Sequence, residues 1–122
     1  MIVCPSKKPA RVDFAQGRLK AGAMNNTEAE YAQRLELQMR AGEILWYRFE
    51  AIKLVLPGNV FYTPDFMVMG KDNAVEIHEV KGFWTDDARV KIRIAAGIFP
   101  FHFLAIKKRA KKLGGGWEVE NF

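Results

Sequence analysis

Residues 60–82 read VFYTPDFMVMGKDNAVEIHEVKG, two stretches of strand character on either side of a turn. Val60 to Met69 is rich in aromatic and β-branched residues, Gly70-Lys71-Asp72-Asn73 supplies the turn, and Ala74 to Lys81 resumes the strand and stops at Gly82. The two-residue period of a strand puts Val75, Ile77, Glu79 and Lys81 on one face of the later stretch and Glu76, His78 and Val80 on the other. The first of these faces begins apolar and ends ionic. An exposed acid–base pair on a strand is worth little. Here, however, the strand is expected between two others, and Tyr62-Thr63-Pro64-Asp65-Phe66 brings a further carboxylate beside it. Antiparallel pairing of the two stretches draws Asp65 toward Glu79.

Upstream, Ile44 to Leu56 reads as another strand, closed by the turn Pro57-Gly58-Asn59. Before it, Thr27 followed by Glu30 matches a capping box, and a helix is predicted over 27–41, ended by Gly42. At about 100° per residue, Glu28 falls in the apolar stripe of Tyr31, Ala32, Leu35 and Met39, and Glu30 falls on the opposite side. A carboxylate aimed at a core is costly without a cation or donors, so Glu28 asks for a partner. The alternative is that it tips to solvent in the first turn and serves the helix dipole. Downstream, Thr85 caps a second helix with Asp86 and Asp87 in its first turn, ending near Gly97 ahead of Pro100. Phe101 to Ile106 returns to strand, and Trp117-Glu118-Val119 adds a short last one. The order α-β-β-β-α-β predicts an α/β sandwich with a mixed central sheet flanked by helices.

The 122 residues are 49% hydrophobic, which suits one core and hardly two. No apolar run approaches the ~18–20 residues that span a bilayer, and the opening lacks the apolar region of a signal peptide. A soluble cytoplasmic protein with no membrane partner is expected. Cys4, the only cysteine, excludes an internal disulfide and fits a reducing compartment.

Lys and Arg number 19 against 14 Asp and Glu, and the surplus gathers at the two ends. A basic arm over residues 1–24 carries Lys7, Lys8, Arg11, Arg18 and Lys20, and Lys107, Lys108, Arg109, Lys111 and Lys112 follow near the C-terminus. Such clusters suit phosphate contacts, with a solvated face as the alternative. On the second helix Lys91 lies between two apolar sets and Arg89 and Arg93 share a more polar face, which adds three candidates for DNA contact. His78 reads as a packed core histidine, and Trp84 is the tryptophan placed to meet a substrate.

With the first helix packed over the strands, Glu28 joins Asp65 and Glu79 in one pocket. Three carboxylates repel one another unless a cation is bound, and hard oxygen ligands at a partly hydrated site suit Mg²⁺ or Mn²⁺. Such an ion polarises a phosphodiester and acidifies a bound water, while Lys81 orients that water or stabilises charge in the transition state.

These residues resemble the PD-(D/E)XK nuclease superfamily: Pro64-Asp65 supplies the PD, Glu79-Val80-Lys81 the ExK, and Glu28 its accessory acid. More closely, Asn26-Thr27-Glu28-Ala29-Glu30-Tyr31, Tyr62-Thr63-Pro64-Asp65-Phe66 and His78-Glu79-Val80-Lys81-Gly82 resemble a phage-associated branch of small endonucleases related to Holliday-junction resolvases. The resemblance covers roughly residues 25–107 and implies a restriction-endonuclease-like core within a single domain over 25–122. It implies that Asp65, Glu79 and the Val80 carbonyl hold the metal, that Glu28 completes or supports the site, and that Lys81 is the catalytic lysine. The implied activity is that of a Mg²⁺-dependent endodeoxyribonuclease acting on branched or structured DNA in phage recombination or repair, inside the bacterial host. Resolving a junction takes paired nicks, so a homodimer is expected. The rivals are a catalytically silent DNA-binding protein on the same fold, a simple nicking endonuclease, and an interaction protein whose basic ends confer solubility.

Overall fold

A computed structural model describes residues 22–122. The expected basic arm over 1–24, with Lys7 and Lys8, lies outside the described residues except at 22–24, as does Cys4. The chain runs α1 (Asn26–Arg40), β1 (Ile44–Phe49), β2 (Leu54–Leu56), β3 (Val60–Tyr62), β4 (Phe66–Gly70), β5 (Val75–Lys81), α2 (Asp86–Ile98), β6 (His102–Lys108), a short 3₁₀ turn at Lys111–Leu113, and β7 (Trp117–Asn121). Five strands form one mixed sheet in the order β1-β4-β5-β6-β7, and β2 and β3 form a separate hairpin. Among the described strands only β5 and β6 pair in parallel, because α2 carries the chain across between them. The protein is thus an α/β fold whose element order departs from the expected α-β-β-β-α-β.

The departure has one cause. Ile44 to Leu56 and Val60 to Met69 were each expected to run straight, and both break at the same level. Between the pairs Phe49↔Phe66 and Leu54↔Tyr62, one side of the ribbon carries residues 50–53 and the other 63–65. Unequal arms cannot stay flat. Glu50 absorbs the mismatch at φ 48°, its N–H donating to the Asp65 carbonyl at 2.7 Å, and Pro64 has no N–H to continue a ladder. The ribbon therefore bends, and its tip, turned by Gly58 and Asn59 at positive φ, leaves the sheet.

The tip folds onto α2. Leu54, Leu56 and Tyr62 pack with Ile77, Ile92, Ala95, Phe103 and Ala105 on one side of the sheet, while Tyr31 and Leu35 of α1 pack with Phe66, Val68, Val80 and Ile106 on the other. Fully burying a residue such as Leu35 or Ile77 contributes roughly 1.5–3 kcal/mol. The predicted alternation of β5 holds: Ile77 and Glu79 share the α2 side, His78 and Val80 the α1 side.

Helix ends follow side-chain chemistry with one correction. Thr85 caps α2 through Ala88 N–H at 3.3 Å, and Gly42 follows α1 at φ 81°. The capping box of α1, however, is Asn25 with Glu28, not Thr27 with Glu30. Register also slips within β1, between Ile44 and Trp46, where the strand bulges against β4. Among the described residues no helix is long and apolar enough to cross a membrane.

Candidate active site

Asp65 sits at the bend, one residue before β4, on the same side of the sheet as Glu79. The ladder between β4 and β5 ends at Phe66↔His78, so the last residues of β5 have no strand beside them on that edge. Side chains fill the gap. Asp65 Oδ2 accepts from Val80 N–H at 2.8 Å, and Glu79 Oε1 accepts from Asp65 N–H at 3.2 Å and from the Tyr62 hydroxyl at 2.9 Å. Lys81 Nζ lies 3.6 Å from Glu79 Oε2.

Both carboxylates are buried, Asp65 to 6% exposure and Glu79 to 8%. Burial, then the charge of Glu79, raises the Asp65 carboxyl from an ordinary 3.8 to about 8, against the pull of Val80 N–H and Lys81. Glu79 is raised by the same loss of hydration, opposed by Lys81, the Tyr62 hydroxyl and Asp65 N–H. The Tyr62 phenol is pushed upward too, mainly by burial and next by Glu79, so it stays a donor. Two buried acids thus face one half-exposed lysine.

Glu79 and Lys81 also line a cavity of about 320 Å³ together with Phe61, Tyr62, Thr63, Asp87, Ala88 and Lys91. Hairpin, β5 and α2 each contribute to its wall. Lys91, chosen for its odd phase on α2, opens into this cavity.

The donor set fits a hard divalent cation. The acids have an unmet demand for positive charge, and in a pleated strand the N–H and C=O of one residue point to the same edge, so the Val80 carbonyl shares the side its N–H takes toward Asp65. The expected third carboxylate does not join them: among the described residues no cluster of three His, Cys, Asp or Glu side chains is set to hold a metal. Glu28 bends back instead, its Oε1 accepting from Asn25 N–H at 2.9 Å. The helix end is the partner its phase asked for, and its charge still helps raise Asp65. Glu30, assigned that cap, is exposed and paired with Lys108.

The remaining DNA-contact candidates separate. Arg89 is held by both carboxylate oxygens of Glu120, at 2.6 and 2.8 Å, and Arg89 and Arg93 both lie over the Phe122 ring. Arg109 meets Glu118 at 3.4 Å, and Lys107 lines a second depression with Trp84, Arg89, Glu118 and Glu120. Trp84 thus lines this second depression and not the carboxylate cavity; its buried Nε1–H has no acceptor among the described residues. Sequence reasoning missed Tyr62, Phe61 and Asp87 as cavity residues. Tyr62, three places before Asp65, carried the one available signal, a phenol inside the motif.

Comparison with protein-family models and with curated proteins finds no match for this chain.

Proposed function

We propose that the protein is a divalent-metal-dependent endonuclease of the PD-(D/E)XK type that hydrolyses DNA phosphodiesters, with branched or otherwise structured DNA as substrate in phage recombination or repair. The observation that carries this reading is the buried Asp65–Glu79 pair, with Glu79 and Lys81 on the wall of a cavity that Lys91 also lines. Asp65, Glu79 and the Val80 carbonyl would hold Mg²⁺ or Mn²⁺, which supplies charge neutralisation for the phosphodiester and a more acidic water. Tyr62 and the Asp65 N–H fix the Glu79 carboxylate, and the Val80 N–H fixes Asp65. Lys81 and Lys91 offer ammonium groups to a phosphate in the same cavity.

A binding protein has no use for two buried acids beside a polyanion, which favours cleavage over silent binding. Paired nicks at a junction would need a two-fold homodimer, checked by solution mass with and without four-way junction DNA. The deciding experiment incubates the protein with labelled junction, duplex and single-stranded DNA, with Mg²⁺ and with chelator. Cleavage of at least one DNA that needs Mg²⁺ is expected; none with any of them would overturn the proposal.

A further inference from the structure

The β2–β3 hairpin has one covered face and one open face. Leu54, Leu56 and Tyr62 are buried against α2, while the cross-strand pair Val55 and Phe61 is exposed. Phe61 is a large ring left 53% exposed, and it lines the cavity that holds Glu79, Lys81 and Lys91. Lys53 sets its Nζ over one face of that ring, 4.7 Å from its centre, so a base stacks on the opposite face or takes the place of the ammonium. A flat anionic ligand fits this arrangement, because a nucleotide offers a base to the ring and a phosphate to the ammonium groups. The next residue along the strand, Tyr62, hydrogen-bonds Glu79, so ring and carboxylate are held in step by adjacent positions of one short strand.

We infer that Phe61 and Lys53 form a stacking subsite for an unpaired nucleotide next to the phosphate engaged at Lys81 and Lys91. The inference rests on the nuclease reading and gives it a substrate class: DNA in which a base beside the scissile phosphate is splayed out of its stack. Bases inside a duplex are covered on both faces by their neighbours. Single strands, flaps and branch points present a face at little cost, whereas a paired base must first be extruded.

The test uses the full chain and DNA carrying 2-aminopurine, whose fluorescence is quenched by stacking, in buffer with chelator so that nothing is cut. With the fluorescent base unpaired at a flap, binding should quench it; with the base inside a duplex, binding should change it little. Phe61→Ala should abolish the quenching and, with Mg²⁺ present, raise KM for the flap substrate by roughly tenfold, a larger change than in kcat. Phe61→Tyr should restore both, and Lys53→Ala should produce a smaller rise in KM. Undiminished quenching in Phe61→Ala, or equal KM in that variant and the unchanged chain, overturns the subsite even where cleavage depends on Asp65. Quenching lost in Phe61→Ala but no Mg²⁺-dependent cleavage by the unchanged chain keeps the subsite and overturns the nuclease reading instead.

Discussion

Strand β5 buries polar side chains on both of its faces, and the two sets meet opposite environments. On the α1 side, His78 is bracketed: Nδ1 is hydrogen-bonded with the Tyr31 hydroxyl at 2.7 Å and Nε2 with Glu76 at 2.8 Å. The Glu76 carboxyl is held below its ordinary range, mainly by that hydrogen bond to His78. Both ring nitrogens are used, and the cluster ties α1 to the sheet. On the α2 side, Glu79 and Asp65 face each other with one lysine nearby, and both carboxyls are pushed up. Burial is common to the two sets, so burial does not mark a site. The mark is an excess of like charge left without its counterpart, which a fold has no stabilising reason to keep.

The comparison breaks most visibly at Asp65. Asp65→Asn should lower turnover by about 10²–10³-fold or more while DNA binding holds or tightens. His78→Gln, on the other face, should leave single-turnover cleavage nearly unchanged and cost about 1–3 kcal/mol in urea unfolding. A folded His78→Gln protein that no longer cuts would show that the faces are not separate. Lys81→Ala should follow, with turnover down about 10²-fold and Mg²⁺ affinity by titration calorimetry held or tightened, since an ammonium beside the cation is gone. Normal cutting by that variant at saturating Mg²⁺ would remove the lysine from the chemistry.

A pH series sharpens the same contrast. With chelator, folded Asp65 keeps its proton up to about pH 8 whereas an ordinary aspartate releases it near 3.8. The native state therefore holds more protons than the unfolded state across that window, and stability falls as pH rises through it. Asp65→Asn should flatten the fall and raise Tm at pH 8 by about 4 °C or more. Mg²⁺ at pH 8 should stabilise the unchanged chain more than the variant. A Tm that climbs from pH 5 to pH 8 without metal would mean the acids are already neutralised.

The smallest effects separate the two glutamates of α1. Glu28→Gln should keep the capping box, change stability by about 1 kcal/mol or less, and lower cleavage severalfold as an accessory acid would. Glu30→Gln gives up only an exposed pair with Lys108, worth about 0–1 kcal/mol, with turnover unchanged. Equal turnover in the two variants would leave Glu28 with capping alone.

Much of this was legible in the sequence, for reasons that also explain what was not. Alternation along 75–81 separated Glu79 and Lys81 from His78, and Thr85 and Gly42 marked helix ends through local chemistry. Asn25-Asn26-Thr27-Glu28-Ala29-Glu30 contains two overlapping capping boxes, and local pattern has no means to choose between them. The bend was hidden because aromatic and β-branched residues flank it on both sides in 44–56 and 60–69, and Glu50 is not a residue type that announces positive φ; Pro64, among the polar Glu50, Lys53, Thr63 and Asp65, was the visible sign. The Tyr62–Glu79 hydrogen bond follows from that bend. Pairs such as Arg89–Glu120 and Glu30–Lys108 join positions far apart in the chain, beyond the reach of any periodicity.

The rims of the sheet bear on aggregation. Among the described residues the five-stranded sheet leaves two strand edges unpaired, each a template for a strand from another molecule. At β1 the bulge between Ile44 and Trp46 throws such a template out of step, and at β7 Glu118 and Glu120 set carboxylates along it. Both rims are blunted against open-ended, fibre-like growth.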